Sequence, residues 1–365
     1  MKAGALTSEH NDNVREGLVV VQYGRQAEIE DSQTGVIVKC KQRANLPIVV
    51  AGDRILWRGK LADDLDEQAS IVNATQTVIE SLLPRSTVIQ RPDKYGKMRT
   101  LAANVECMFI TVAPKPEPFF NLIDRYIVAA YHCKVEPHIL INKSDLLSQL
   151  DQRDELAGAN LSSDLEVENN PRTEDLNAID ESLYKDVAER LAAVKSFYPS
   201  IGIAVTEVSS KNMDMSNPLV RDIEEQRAIF VGQSGVGKSS LIKALAPPDA
   251  EDIAVGSLSD ARDKGRHTTS FSRLYHLVNR ASCIDSPGIR EFGLWHMSEG
   301  DVIRAFPDIE ELAQGCKFRD CRHIKEPGCA IQTRIEVDAF LRLRFDSYRS
   351  ILNSLGDVDI QQPGL

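Results

Sequence analysis

Eight consecutive residues, Gly232, Gln233, Ser234, Gly235, Val236, Gly237, Lys238 and Ser239, fit the pattern G-x-x-x-x-G-K-[ST]. Glycines at these places let a backbone wrap closely enough for its N–H groups to cradle phosphate oxygens. A helix starting just beyond adds its partial positive charge. Lys238 is expected to reach the β- and γ-phosphates of a nucleotide and Ser239 to ligate Mg²⁺, with Ser240 counted beside them in the same site. The apolar stretch 228–231 before the run reads as a strand, and 240–245 after it as a helix, which is the context this loop requires.

The base is indicated by Asn142, Lys143, Ser144 and Asp145, which follow the strand-like run 138–141 and fit N-K-x-D. A carboxylate at Asp145 can accept both N1–H and the exocyclic N2–H₂ of guanine, a pairing adenine does not offer. GTP is therefore expected. Ser209, Ser210 and Lys211, after the run 203–208, suit the small-residue loop that lines the guanine. Asp285, Ser286, Pro287 and Gly288 fit D-x-x-G, with Asp285 holding Mg²⁺ through water and the Gly288 N–H on the γ-phosphate. Thr268 and Thr269 are both candidates for the threonine that closes over Mg²⁺, and Thr269 is favoured. Ile289 stands where many GTPases carry the glutamine that orients the attacking water, so His267, beside the threonines, is the nearest titratable group for that task.

Cys316, Cys321, His323 and Cys329 form a Cys₃His set within one short segment. Three thiolates and an imidazole suit tetrahedral Zn²⁺, and a closed set of four ligands points to one structural ion. Cys40, Cys107, Cys133 and Cys283 lie in apolar stretches and read as buried, inert thiols.

Elements must carry these residues. Short β-type runs at 18–23, 26–30, 36–39, 48–57 and 69–79 assign 17–83 to a small five-stranded barrel, of the oligonucleotide-binding (OB) type or another small β domain. Residues 84–103 read as a basic linker. From 104 to 297 strands alternate with helices (strands 107–112, 138–141, 203–208 and 228–231; helices 119–133, 183–197 and 219–225), the signature of a parallel α/β sheet. Residues 151–180 read as an acidic insertion in a surface loop, 298–355 as a zinc-binding, mainly helical domain, and 1–16 as an unstructured extension. The order is unusual: guanine recognition precedes the phosphate loop and both switches, which is a circular permutation of a GTPase domain. Switch II then runs directly into the zinc domain, where nucleotide state can act on it.

The net charge of −11 argues against nucleic acid only on average. Residues 151–190 hold twelve acidic against four basic residues, and the remainder is close to balanced, with basic islands at 85–99, 262–290 and 317–349. No apolar run approaches the roughly 20 residues that span a bilayer, and the first residues carry no signal-peptide core, so a cytoplasmic protein without membrane contact is expected.

The permuted motifs, the Arg266, His267, Thr268, Thr269 switch and the Cys₃His spacing together resemble the ribosome-small-subunit-dependent GTPases of the RsgA (YjeQ) family. The likeness covers about residues 17–355. It implies an OB domain, a permuted P-loop GTPase domain and a zinc domain, with GTP, GDP, Mg²⁺ and Zn²⁺ as ligands. It also implies a ribosome-stimulated GTP hydrolase that binds the 30S subunit and 16S rRNA, alongside other 30S assembly factors, and leaves on hydrolysis late in 30S maturation. The acidic insertion and the extended N-terminus are not part of that pattern. The competing reading is a regulatory GTPase whose barrel and zinc modules bind a protein; the low aromatic content, 6%, favours it because base stacking needs aromatics.

Overall fold

The structure is a computed structural model that describes residues 14–59, 71–72, 77–92, 97–147, 174–248, 272–285 and 297–356. Strands β1 (Val14–Tyr23), β2 (Gln26–Asp31), β3 (Ile37–Gln42), β4 (Arg54–Arg58), β5 (Ile71–Val72) and β6 (Val78–Leu82) build the N-terminal part. The order β1-β2-β3-β6-β4 closes through a β1–β4 pairing, with β3 and β6 parallel, while β5 pairs only with β3. This is a closed five-stranded barrel. Alternating inward residues, among them Val19, Ile29, Val38, Ile55, Trp57 and Ile79, fill it.

Three sequence expectations change here. The first strand begins at Val14, inside the stretch 1–16 expected to be unstructured, because its first residues pair with β4, Val14 opposite Arg58. The run 48–57 is strand only from Arg54: Gly52 adopts φ 89°, and the buried Asp53 carboxylate accepts the Val50 N–H at 2.7 Å, which makes 50–53 a turn. The segment 84–103 contains a two-stranded ribbon, β7 (Val88–Pro92) against β8 (Met98–Ala103), whose Ile89 and Ala102 are fully buried.

The α/β part holds β9 (Cys107–Val112), β10 (Glu136–Ile141), β11 (Ala204–Glu207), β12 (Arg227–Val231), β13 (Arg273–His276) and β14 (Ser282–Asp285). In the order β11-β10-β9-β12-β14-β13 all pairings are parallel except β13 on β14. All six residues of β9 are buried, as expected for a central strand covered on both faces. The helices of this part are Asn121–Cys133, Glu174–Ser200, Pro218–Asp222 and Lys238–Ala244. Glu174–Ser200 starts earlier than the helix expected at 183–197 and takes in the end of the acidic segment; residues 151–173 lie outside those described.

Strand β13 was not anticipated, and it joins the two parts. On one side it pairs with β14, Arg273 opposite Asp285; on the other Arg273 stands opposite Val21 of β1, so barrel and parallel sheet are continuous. The C-terminal helices Glu299–Ile303, Pro307–Ala313, Ala330–Ile335 and Ala339–Gly356 do not enclose a core of their own. Phe306, Phe345 and Ile351 belong to the same buried cluster as Ile127 and Ile139. Among the described residues no helix is long and apolar enough to cross a membrane.

Candidate functional site

Strand β12 delivers the chain to Gly232, where φ is 133°. A Cβ there would lie 2.1 Å from the Thr111 carbonyl oxygen of β9, so only glycine lets the loop leave the sheet at this point. At the other end Gly237 (φ 95°) is the N-cap of helix Lys238–Ala244; its own Cβ would lie 2.3 Å from the Asn142 side-chain nitrogen. Lys238 folds back over the loop, its Nζ donating to the carbonyls of Gly232 (2.8 Å) and Gln233 (2.7 Å). An ammonium among carbonyls, beside the N–H groups of a helix start that no side chain caps, can accommodate phosphate.

The N-K-S-D residues sit at the C-terminal end of β10, next to this loop. Asn142 is fully buried; its Nδ2 donates to the Val236 carbonyl at 2.8 Å and its Oδ1 accepts the Ser210 N–H at 3.2 Å. One side chain thereby ties together the three segments the sequence singled out. Lys143, at φ 60°, donates its Nζ to the carbonyls of Lys115 (2.7 Å) and Gly235 (2.8 Å). Burial holds its pKa below the ordinary lysine value.

Asp145 receives the Ser209 hydroxyl at 2.8 Å on Oδ1 and Lys211 Nζ at 3.3 Å on Oδ2. Burial raises its pKa, but the Ser209 hydroxyl and Lys211 outweigh that, and the net shift is downward. At neutral pH Asp145 is therefore an ionised acceptor, the form that pairs with two N–H donors of a base. Asp285 ends β14, half-buried, one strand away from the phosphate-type loop on β12. His267, Thr268, Thr269, Gly288 and Ile289 lie outside the described residues.

The sequence did not reveal the part played by loop 113–120. Its Lys115 carbonyl holds Lys143, and its Phe119 N–H donates to Gln233 Oε1 at 3.3 Å. Both are main-chain groups, which any residue type provides, so no pattern of side chains announces them.

The second cluster lies in the C-terminal part. Cys316 follows helix Pro307–Ala313, Cys329 is the N-cap of helix Ala330–Ile335, and His323 between them takes φ 57°. Cys316 Sγ and Cys329 Sγ are 3.9 Å apart, each lies 3.5 Å from His323 Nδ1, and the ligand atoms of all four residues fall within 4.8 Å of one another. A tetrahedron with Zn–S bonds of about 2.3 Å has edges near 3.8 Å, so this set fits a single Zn²⁺. The loop is held independently: the Glu326 carboxylate accepts the N–H groups of Arg322, Ile324 and Lys325, and these backbone donors with its own hold its pKa down to about 2. Gln332 Nε2 donates to the His323 carbonyl at 2.6 Å.

Comparison with known proteins agrees with this geometry. The family described as RsgA GTPase matches residues 82–188 and 176–295. A protein of Saccharophagus degradans named "Small ribosomal subunit biogenesis GTPase RsgA" is 39% identical over 94% of this chain and 88% of its own length. One of the same name from Pseudomonas putida is 40% identical over 93% of this chain and 86% of its own length. Among solved structures, YloQ, described as a circularly permuted GTPase, superposes with a TM-score of 0.61 at 20% identity, covering 99% of this chain and 100% of its own. YjeQ from Thermotoga maritima gives 0.58 at 22% identity, covering 96% and 100%. The motif order, the barrel, the Cys₃His cluster and this similarity along almost the whole chain lead to one assignment: the chain belongs to the RsgA GTPase family and is a circularly permuted GTP hydrolase.

Proposed function

We propose that this GTPase acts in the cytoplasm in biogenesis of the small ribosomal subunit, binding the 30S particle through 16S rRNA when loaded with GTP and leaving when GTP is hydrolysed. The observation that supports the nucleotide half is the pair of Asn142 hydrogen bonds, which hold the N-K-x-D residues against the glycine-rich loop and Ser210. The ribosomal half is supported by the name shared by the relatives. It is also supported by the exposed Lys317, Arg319 and Lys325 around the cysteine cluster, a surface suited to phosphates.

In this reading Lys238 contacts the β- and γ-phosphates, while Ser239, Asp285 and Thr269 would hold Mg²⁺, which offsets the charge developing on the phosphates. Gln233, Ser234, Gly235, Val236, Gly237 and Ser240 complete the cradle around the phosphates. Asn142, Lys143, Asp145, Ser209 and Ser210 surround the guanine, and Gly288 meets the γ-phosphate. His267 positions the attacking water when the protein is on the ribosome.

Co-sedimentation with purified 30S subunits, with a non-hydrolysable GTP analogue or GDP over a range of salt, tests the proposal. Binding that prefers the analogue and falls steeply with salt supports it. No binding in either state overturns it, and capture that survives ribonuclease treatment and is indifferent to salt favours the protein-partner reading.

A further inference from the structure

Helices Asn121–Cys133, Glu174–Ser200 and Ala339–Gly356 border a half-open pocket of about 360 Å³, lined among others by Phe119, Phe120, Tyr198, Phe340, Arg344 and Ser347. The first turn of helix Asn121–Cys133 borders this space and so lacks close apolar packing on that side. Polar contacts tie that side to the neighbouring helices, while Leu122 and Ile123 pack into the core on the other. Asn121 Nδ2 donates to Ser347 Oγ at 3.1 Å. One turn further, Asp124 accepts from the Arg344 guanidinium and from the Tyr198 hydroxyl, the latter at 2.7 Å. Arg344, 1% exposed, is fixed in turn by Asp308 at 2.7 Å, by the Ala305 carbonyl at 3.2 Å, and by stacking 4.4 Å from the Phe306 ring centre.

That same helical turn is continuous with the nucleotide site. Phe119, whose N–H binds Gln233, precedes Asn121 by two residues, and Lys115, whose carbonyl binds Lys143, lies in the same loop. We propose that the contacts of Asn121 with Ser347 and of Asp124 with Arg344 form a latch through which the C-terminal helix positions loop 113–120 and, with it, Lys143 and Gln233. Asn121, Ser347 and Arg344 are then positioning residues for nucleotide affinity. When the latch opens, the cavity gives the helical turn room to shift, the loop draws back, and Lys143 and Gln233 each lose a main-chain partner. Coupling of this kind is reciprocal, so bound nucleotide must stiffen the C-terminal helix by the same free energy. The inference rests on the nucleotide-site reading above.

The test uses the full-length, zinc-loaded protein and a fluorescent GDP. Removing one neutral hydrogen bond is worth roughly a fivefold change in an equilibrium constant. Asn121→Ala and Ser347→Ala are therefore expected to raise the Kd for GDP by up to about fivefold through faster dissociation. Ser347→Thr, which keeps the hydroxyl and has the cavity beside it, should restore wild-type affinity, and Arg344→Lys should weaken binding further. In the wild type, GDP should slow amide exchange along Ala339–Gly356, and Ser347→Ala should abolish that slowing. Wild-type affinity in both alanine variants, equal damage in Ser347→Thr, or exchange indifferent to GDP would each overturn the latch. A wild-type protein that fails to bind GDP overturns the site reading itself and is recognised separately, before any variant is compared.

Discussion

Asn142 donates its side-chain amide to the carbonyl of Val236 at 2.8 Å, although 94 residues separate them. The bond is buried, so the groups it satisfies have no water to turn to. Asn142→Ala leaves the Val236 carbonyl and the Ser210 N–H without this partner, at a cost of about 1–3 kcal/mol. GDP affinity is expected to fall by between about fivefold and about 150-fold. Isothermal titration of folded variant protein measures it, and unchanged affinity would show that the two loops need no such tie.

Base choice should reside in Asp145. Replacing it by Asn turns one acceptor into a donor, so GTP binding weakens while xanthosine triphosphate, whose C2 oxygen accepts from the new amide, binds better. Competition between the two triphosphates reads the switch directly; a variant that still prefers GTP removes Asp145 from base recognition.

The Cys₃His cluster should behave as a structural zinc site. Cys321→Ser is expected to lose the ion and loosen residues 300–355, seen as faster amide exchange there, while GTP binding persists at reduced affinity. Elemental analysis of protein purified without chelator should return one zinc per chain. A metal-free wild type with the same fold would sink the assignment.

Intrinsic hydrolysis should be slow and rise strongly on 30S subunits, because the aliphatic Ile289 cannot hold the attacking water. His267→Ala should bind GTP normally yet lose most of that stimulation. Single-turnover rates with and without subunits decide it: equal stimulation in variant and wild type excludes His267.

The junction between barrel and sheet contains a titratable pair, His276 Nε2 and Glu30 at 2.6 Å. The Glu30 hydrogen bond raises the His276 pKa against its partial burial and against Arg227, the charged neighbour that lowers it. A raised folded pKa means the stabilisation is fully present below about pH 6.5 and is lost as pH rises through the folded value. Nuclear magnetic resonance titration should give His276 a pKa above 6.5 in the wild type and a lower one in Glu30→Gln; identical values in both proteins would remove the pair as the cause.

The residue types and their order were enough to read a guanine nucleotide, a permuted GTPase domain, a small barrel in front and a four-ligand metal site behind. Each rests on local chemistry: glycine where a backbone must approach, a carboxylate where two donors could be met, thiols and an imidazole close enough to hold one soft ion. The strands of the parallel sheet were legible for a similar reason, since a strand covered on both faces, such as β9, is a plain apolar run.

Tertiary structure alone decided how these parts connect. Strand β13 joins the barrel to the sheet through main-chain pairing at Arg273, and the 84–103 segment folds into a ribbon because Ile89 and Ala102 find the core beneath them. Lys115 and Phe119 reach Lys143 and Gln233 with backbone groups that every residue carries. Arg344 and Asp124, 220 positions apart, become a buried pair only when the C-terminal helix packs on the GTPase domain. Side-chain chemistry is written residue by residue, whereas main-chain contacts and distant pairings exist only once the chain has closed on itself.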